Sequence, residues 1–368
     1  VVASGVQAVE IETDNPDIKA RADLTLRYNW ARRMEAQDSR LMNFTTTDEG
    51  DAKFKKGDTV TNRIDALGEL DINYKDDFGI RVSAATWYDK AYSDRSVSSP
   101  AGSTTSYNND QYSAQVNRFV HGPSGEILDA FAWKNFDLGG APTNVKLGRH
   151  TVVWGEGMLI GAHAISYGQA PVDGVKAVSS PGIETKEAFL PINQLTFKSQ
   201  VTDKLSIAGQ YALEWRPTRV PYAGTYLMGA DNAPGVDRFA LAPGFNLANT
   251  QAKTSGDKNW GLSARLDVDS IDATLGVYYR EYNDTNPETG IAMDMVARTY
   301  KFVYPEATKV VGVSISKPIG PVSVGAELSY RKGSHLNSTG GYTTTSTGAT
   351  GDTIHAVVNG VYLLPKSA

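Results

Sequence analysis

The feature that most constrains this chain is a long, strict alternation of apolar and polar residues near its start. From Ile18 to Trp30 every even position is apolar and every odd position is polar, and four of the polar residues are charged. Because successive side chains of a strand point to opposite faces, this segment predicts a strand with one apolar and one charged face. Tyr28 and Trp30 end the apolar face. The segment is also much longer than the usual strand of about five or six residues.

The same alternation recurs along the chain and predicts at least twelve strands. Clear examples cover residues 64–74, 78–88, 205–215, 260–268, 271–279, 322–330 and 354–362, and weaker ones lie near 127–137, 143–153, 193–202 and 309–317. Aromatic residues close many of the apolar faces, as they do in the interfacial girdles of membrane barrels. The alternative is a soluble β-sandwich with tyrosines at its rim, but sandwich strands are rarely this long or this charged on the second face.

Composition is compatible with a membrane barrel. A mean hydropathy of −0.33 is typical of a soluble protein, but a barrel needs only alternate residues to be apolar. No run approaches eighteen consecutive apolar residues, which excludes a transmembrane helix. The absence of cysteine excludes disulfides and thiolate metal sites, the five histidines are scattered, and the net charge of −5 argues against a nucleic-acid partner. We expect no metal and no cofactor.

The connections between the predicted strands alternate in length. The short ones are 75–77, 139–142, 202–204, 269–270 and 317–321, and the long ones are 35–62, 89–126, 154–192, 216–259, 280–308 and 331–353. Outer-membrane barrels have short periplasmic turns and long outer loops. The sequence therefore predicts one all-β domain over residues 1–368, an antiparallel transmembrane barrel in a bacterial outer membrane, in contact with its lipid and lipopolysaccharide.

The predicted outward face includes a set of aliphatic residues, which we expect to contact lipid. They are Leu24, Leu26, Leu70, Ile72, Leu262, Leu266, Val324 and Leu328. The opposite face carries both signs of charge. The charged residues predicted to line the pore are Lys19, Arg21, Asp23, Arg27, Arg63, Asp65, Glu69, Asp71, Arg81, Arg265, Asp267, Asp272, Arg280 and Glu327. They either tune selectivity or form salt bridges that make the wall rigid, and their mixed signs argue against strong selectivity for one sign of ion.

The third long connection is unusually apolar for an exposed loop. We predict that it folds into the lumen and constricts the pore, and the alternative is packing under neighbouring loops. The predicted constriction residues are Trp154, Glu156, Met158, Leu159, Ile160, Tyr167 and Asp173. The fourth long connection has a second apolar set that forms either the site where an apolar substrate enters or a self-packed cap. Its residues are Tyr222, Tyr226, Met228, Phe239 and Phe245.

Between residues 147 and 219 the chain contains a series of distinctive short motifs. They are Leu147-Gly148-Arg149-His150, Trp154-Gly155-Glu156-Gly157, Pro171-Val172-Asp173, Pro181-Gly182-Ile183-Glu184, Lys186-Glu187-Ala188-Phe189-Leu190-Pro191 and Leu213-Glu214-Trp215-Arg216-Pro217-Thr218-Arg219. In these motifs the chain resembles a large proteobacterial outer-membrane family known mainly by a domain-of-unknown-function label, number thirteen-zero-two. The similarity covers the whole chain.

The resemblance implies a porin-like barrel associated with the uptake or degradation of hydrophobic compounds such as steroids, fatty acids or sphingoid bases. For some members it also implies a periplasmic or lipoprotein partner and an inner-membrane transporter of the resistance-nodulation-division type. Family members run beyond this length, and the ending Leu364 to Ala368 is typical of a periplasmic turn rather than of a terminal aromatic strand. We therefore expect a complete barrel of fourteen to sixteen strands or more.

Two functions remain open. The first is an outer-membrane channel for hydrophobic or amphipathic small molecules of steroid, fatty-acid or aromatic type. The second is the outer-membrane component of an export or lipid-transfer assembly, although the short polar turns favour the channel. Catalysis is not expected: His150, Glu156 and Ser166 lie near one strand-to-loop junction, but the chain has neither a G-x-S-x-G nor an H-E-x-x-H motif.

Overall fold

The structure is a computed structural model that describes residues 2–43, 49–99, 104–158, 160–226, 228–242, 244–250, 254, 259–288, 290–336, 342–343 and 348–364. Its strands, in chain order, are β1 (Val2–Ile11), β2 (Ile18–Arg32), β3 (Thr59–Tyr74), β4 (Phe78–Asp89), β5 (Ser124–Leu138), β6 (Ala141–His150), β7 (Ile192–Gln200), β8 (Leu205–Ala212), β9 (Arg238–Ala242), β10 (Phe245–Asn249), β11 (Trp260–Val268), β12 (Ala273–Tyr282), β13 (Ile291–Asp294), β14 (Thr299–Phe302), β15 (Thr308–Ile319), β16 (Val322–His335), β17 (Tyr342–Thr343) and β18 (Thr350–Tyr362). Short helices lie in the loops: α1 (Glu49–Lys53), α2 (Ala114–Val116), α3 (Gly174–Ser179) and α4 (Thr185–Ala188).

One antiparallel sheet of thirteen strands dominates the described part of the chain. Its order is β1-β2-β3-β4-β5-β6-β7-β8-β11-β12-β15-β16-β18, so each strand pairs with the next sheet strand along the chain. All twelve predicted strands are present, and the predicted all-β antiparallel fold is confirmed. None of the described helices is both long enough and apolar enough to cross a membrane.

The thirteenth strand, β1, was not predicted. Its apolar residues occur at both even and odd positions, so it has no period of two for the sequence to show. What makes it a strand is its partner: it pairs with β2 along its whole length, from Val2 opposite Asn29 to Ile11 opposite Ala20.

The sheet has the reverse of the burial pattern of a water-soluble protein. Leu26 and Leu328 are 47% and 52% exposed, whereas their sequence neighbours Arg27 and Glu327 are 4% and 5% exposed. A soluble fold buries the aliphatic residues and exposes the charged ones. An outer face of this kind suits lipid, and the buried charged face is the interior of the structure.

The sheet curls around one of its own loops. We call the connection between β6 and β7, residues 151–191, the third loop. It contacts β2 through Glu187, whose carboxylate lies 2.7 Å from Arg27, and β18 through His163, whose Nδ1 atom lies 2.8 Å from that of His355. In a flat sheet β2 and β18 would lie about 50 Å apart. The wall must therefore bend round to meet the loop from both sides, although the described residues of the end strands β1 and β18 show no pairing with each other.

The main hydrophobic core lies in the long loops rather than in the sheet. We call the described residues within 33–58, 90–123, 213–259 and 283–307 the loop cap. The strands β17, β13, β14, β10 and β9 form a second sheet at this end. Buried cap residues include Phe54, Tyr92, Tyr107, Tyr112, Val120, Tyr222, Val236, Leu247 and Tyr300. The long loops thus form a packed cap at one end of the sheet, and the short turns lie at the opposite end.

Candidate pore lumen and third loop

Glu327 on β16 holds the first part of the third loop. Its side chain is buried on the inner face, and its carboxylate accepts hydrogen bonds from the backbone N–H groups of Glu156, Gly157 (2.6 Å) and Ile165 (2.7 Å). Charge-assisted hydrogen bonds of this kind are roughly twice as strong as neutral ones. One wall carboxylate therefore fixes two separate turns of the loop.

Two buried arginines bind the carbonyl groups of the same segment. Arg280 on β12 donates to the carbonyl oxygens of Ile165 (2.7 Å) and Tyr167 (2.9 Å). Arg331 on β16 donates to those of Ala162 (2.9 Å) and Ala164 (2.8 Å). Irregular backbone needs partners for its polar groups wherever it is buried. The wall supplies both hydrogen-bond acceptors and donors, so the charged inner face binds the backbone of the loop.

Glycines on the inner face make room for the loop side chains. A Cβ atom added to Gly312 of β15 would lie 2.8 Å from Ile165 Cδ1, and one added to Gly325 of β16 would lie 2.9 Å from Glu156 Cβ. A Cβ on Gly261 of β11 would similarly lie 2.9 Å from the Trp154 ring. Real Cβ atoms do not approach so closely, and interiors are close-packed. The wall is therefore shaped to fit this loop on β11, β15 and β16.

The fit at Gly312 gives a testable expectation. We expect Gly312→Ala to lower the free energy of unfolding by about 1–3 kcal/mol, because its methyl group overpacks the seat of Ile165. In the double variant Gly312→Ala/Ile165→Ala the loop side chain is shortened, and part of that loss should be recovered. Urea unfolding of the four proteins in lipid vesicles measures the cycle. Strictly additive effects of the two substitutions would contradict the proposed contact.

The far end of the third loop is anchored on the opposite wall. The buried carboxylate of Glu187 in α4 forms a bidentate ion pair with Arg27 of β2, at 2.7 and 3.3 Å. Lys186 next to it donates to Glu69 of β3 at 2.6 Å. The loop is thus tied to β11, β12 and β16 by residues 154–167 and to β2 and β3 by α4, so its described residues cross the interior from one wall to the other.

Helix α3 lies between these two anchors, and its residues Val175 and Lys176 are buried. Asp173 caps its N-terminus by accepting from the Lys176 backbone N–H at 3.1 Å, and it also forms an ion pair with Arg219 of the cap. The Lys176 side chain lies 5.2 Å from the centre of the Trp87 ring, and burial lowers the pKa of its ammonium group. Asp173 is fully buried. It therefore caps a helix and does not line a path, contrary to its predicted place in the constriction.

The other predicted constriction residues lie within the first anchor, between Trp154 and Tyr167. Glu156 pairs with Arg265 of β11 at 2.8 Å, and the Tyr167 ring lies 4.5 Å from the Arg331 guanidinium group. Met158 and Ile160 are 61% and 56% exposed. They are among the apolar residues of the loop that stay accessible, as Val153 and Val178 also are, while Leu159 between them lies outside the described residues. Their role in permeation remains a prediction.

The charged residues predicted to line the pore occupy two zones. Arg63 and Asp65 are buried and pair at 2.9 Å, and the half-buried Arg81 bridges Glu69, Asp71 (2.9 Å) and Asp129 (3.3 Å). Such pairs fit the alternative of a wall made rigid by salt bridges. Near the short turns the charges are more open, with pairs that join Lys19 to Asp76 at 2.9 Å and Arg21 to Asp23 at 3.0 Å, and Asp267 accepting from Thr274 at 2.6 Å.

Asp272 is a correction to the predicted pore lining. It lies in the turn before β12, has a φ of 49° and is exposed. The strand begins one residue later, at Ala273. A left-handed conformation suits Asp in a tight turn, and the turn takes the side chain off the inner face.

The apolar set of the fourth long connection belongs to the cap core. Tyr222 is 1% exposed, and burial raises the pKa of its hydroxyl group to about 12. Tyr226, Met228, Phe239 and Phe245 pack against the same core. A core residue with so little exposed surface is not open to a substrate. Of the two alternatives, the geometry favours the self-packed cap over the substrate-entry site.

The residues weighed for catalysis have other partners. His150 Nε2 lies 2.9 Å from the Thr196 hydroxyl and its Nδ1 lies 3.0 Å from the Gly148 carbonyl oxygen, while Glu156 is held by Arg265. The expectation that the chain is not an enzyme remains a prediction.

Three functional candidates were not singled out by the sequence pattern. Arg331 lies one residue beyond the predicted strand 322–330. Lys146 and Lys198 lie on the inner face of β6 and β7, two strands that the alternation predicts only weakly. The apolar neighbours Val145 and Leu147 nevertheless indicate that Lys146 faces inward. Arg331 is a candidate because it binds the third loop, and the two lysines are candidates because they line a cavity on the inner wall.

An antiparallel wall with lipid-suited outer residues, wrapped around an inserted loop, defines a β-barrel of the outer-membrane type. The chain belongs to the family described as Protein of unknown function (DUF1302), whose model matches residues 1–365. This confirms the family suggested by the motifs between residues 147 and 219. No curated protein matches the chain.

Two solved structures illustrate the distant likeness of the fold. OmpF of Salmonella typhi in complex with daunomycin has 12% identity and a TM-score of 0.31, and the alignment covers 96% of this chain and 100% of that one. FpvA of P. aeruginosa bound to heterologous pyoverdines has 11% identity and a TM-score of 0.35, with 97% of this chain and 45% of that one covered. Similarity this distant does not extend a ligand or a partner to this chain.

Proposed function

We propose that this protein is an outer-membrane channel whose lumen is narrowed by the third loop. The observation that carries the proposal is the double anchoring of that loop, on Glu327 at one wall and on Arg27 at the other, at 2.7 Å in each case. A segment held across the interior must reduce the open cross-section. The reversed burial of the wall supports a position in lipid.

The accessible surface next to the loop supports a substrate with a hydrophobic body. Met158 and Ile160 expose apolar surface, and Trp154, Phe131 and Trp133 border the space beneath the loop. Apolar and aromatic walls with a few polar groups are typical of sites for small organic molecules. We therefore propose passage of hydrophobic or amphipathic small molecules. The periplasmic or lipoprotein partner that the resemblance implies remains a prediction.

Shortening the third loop tests the channel proposal. We expect replacement of residues 156–166 by a short glycine-serine linker to raise single-channel conductance several-fold, because the segment bound by Glu327 and Arg331 no longer crosses the lumen. Planar-bilayer recordings measure conductance, and heat-modifiable gel migration shows whether the barrel has folded. The milder variant Glu327→Gln keeps the side-chain shape and should give an intermediate, noisier open state.

The matched control is Lys204→Gln/Lys317→Gln, which changes the exposed Lys204 and the half-buried Lys317, both near the short turns. It should leave conductance unchanged. The channel proposal is wrong if the wild-type protein forms no conductance in the bilayer. The loop assignment is wrong if a folded deletion conducts as the wild type does, and the loop cap would then be the better candidate for the constriction.

A further inference from the structure

A cavity of about 680 Å³ lies on the inner wall between the third loop and the short turns. Strands β3 to β8 form its walls and Trp154 of the third loop borders it. Its volume falls in the range of sites for small organic ligands, about 300–1,000 Å³. Its basic residues include Arg81, Lys146 and Lys198.

One side of the cavity is aromatic. Phe131 and Trp133 are alternate residues of β5 and face the interior. A Cβ atom on Gly79 of β4 would lie 2.6 Å from the Trp133 ring, so the absence of a side chain at Gly79 lets this ring lie against the wall. Phe131 lies beside His150, with ring centres 5.4 Å apart. Flat, fixed rings of this kind offer stacking surfaces at little entropic cost.

The adjoining side carries two lysines. Lys146 of β6 is opposite Trp133 on one neighbour and Thr196 on the other, and Lys198 of β7 is opposite Asn144. Lys146 and Lys198 are therefore diagonal neighbours on one face, and such neighbours lie about 7–8 Å apart. Their long side chains can reach a single group between them.

The lysines differ from the other inner-wall cations in their partners. Within the described residues neither Lys146 nor Lys198 has a carboxylate within salt-bridge distance, and the Lys146 ammonium instead lies 5.4 Å from the centre of the Phe131 ring. The nearby acids are already engaged, because Arg81 binds Asp71 at 2.9 Å and Asp129 at 3.3 Å. The cavity lining itself carries Arg81, Lys146 and Lys198 but only one acid, Asp71, so positive charge exceeds negative charge where the wall is aromatic.

From this juxtaposition we propose that the cavity binds a small aromatic carboxylate, with its ring on Phe131 and Trp133 and its carboxylate between Lys146 and Lys198. Each lysine supplies a charge-assisted hydrogen bond, and the rings supply the apolar contact. The site selects anions over cations of the same shape. It deepens the proposed function, since a ligand reaches it through the lumen, but it depends on a binding event that can be measured without transport.

The test uses three probes of one shape: naphthoate, naphthamide and naphthylmethylammonium. Equilibrium dialysis against the full chain in lipid nanodiscs gives a Kd for each. We expect naphthoate to bind at least about tenfold more tightly than the ammonium probe, and Lys146→Gln/Lys198→Gln to weaken naphthoate at least about tenfold with little effect on naphthamide. Trp133→Ala should weaken naphthoate and naphthamide alike. The turn variant Lys204→Gln/Lys317→Gln is the control with the same change of net charge.

Equal affinity for the three probes, tighter binding of the ammonium probe, or an unchanged naphthoate Kd in Lys146→Gln/Lys198→Gln would each overturn the site. A preference for the ammonium probe would show that Asp71 and Asp129 dominate the cavity. Conductance is recorded in parallel. Conductance without naphthoate binding would support the channel proposal and contradict the binding site. Naphthoate binding without conductance would support the binding site and contradict the channel proposal.

Discussion

Arg27→Ala is expected to lower the free energy of unfolding by about 3–5 kcal/mol, whereas Arg21→Ala on the same strand should cost at most about 1 kcal/mol. Arg27 and Glu187 have side chains that are 3% and 5% exposed, so removal of the arginine leaves a buried carboxylate without its partner. Arg21 pairs with Asp23 at 3.0 Å, but its side chain is 59% exposed and water can replace the contact.

Urea unfolding in lipid vesicles measures both variants. The double variant Arg27→Ala/Glu187→Gln removes both charges and should recover much of the loss, because the cost comes mainly from the uncompensated charge. If Arg27→Ala is no more destabilising than Arg21→Ala, the third loop is not held by α4 on this wall.

The second large effect concerns the outer face. We expect Ala264→Arg to destabilise the protein by about 2–4 kcal/mol, the cost of an arginine near the middle of the lipid-facing wall. Ala264 pairs with Ile207 and Val277, so it lies in an apolar row of the sheet. Ala208→Arg makes the same chemical change on the neighbouring strand, but Ala208 borders the inner cavity.

The inner variant should therefore cost less than about 1 kcal/mol, because the new side chain can extend into the cavity. Leu26→Arg on β2 tests the same outer face at a second place, since Leu26 is 47% exposed there. Unfolding in vesicles and heat-modifiable migration report the outcome. Equal tolerance of Ala264→Arg and Ala208→Arg would refute the assigned facing.

The local pattern was sufficient for most of the wall. Alternation at period two placed twelve strands and the inward position of Arg27, Glu69 and Glu327, because strand geometry ties parity in sequence to a face of the sheet. The contrast between short turns and long loops also depends on sequence alone. Asp272 shows the limit of the rule: one residue beyond the strand end, parity no longer specifies a face.

The sequence also showed which loop was unusual. Its apolar residues made an exposed position costly, and this pointed to the third loop as a buried element. It did not show how the loop is held. Glu327 binds backbone amides and Arg331 binds carbonyl groups, and such contacts leave no trace in the pattern of the loop, because any residue type carries the same backbone groups.

The remaining features were decided only by tertiary structure. The small cap sheet pairs strands from different loops, and its strands of two to five residues are too short for periodicity to show. Position 312 requires glycine because the Ile165 side chain occupies the space that a Cβ atom there would need. Lys146 and Lys198 lie more than fifty positions apart in the sequence and become neighbours because β6 and β7 pair across the third loop. The sequence by itself determined which residues face inward, and the register of the folded wall determined which of them meet.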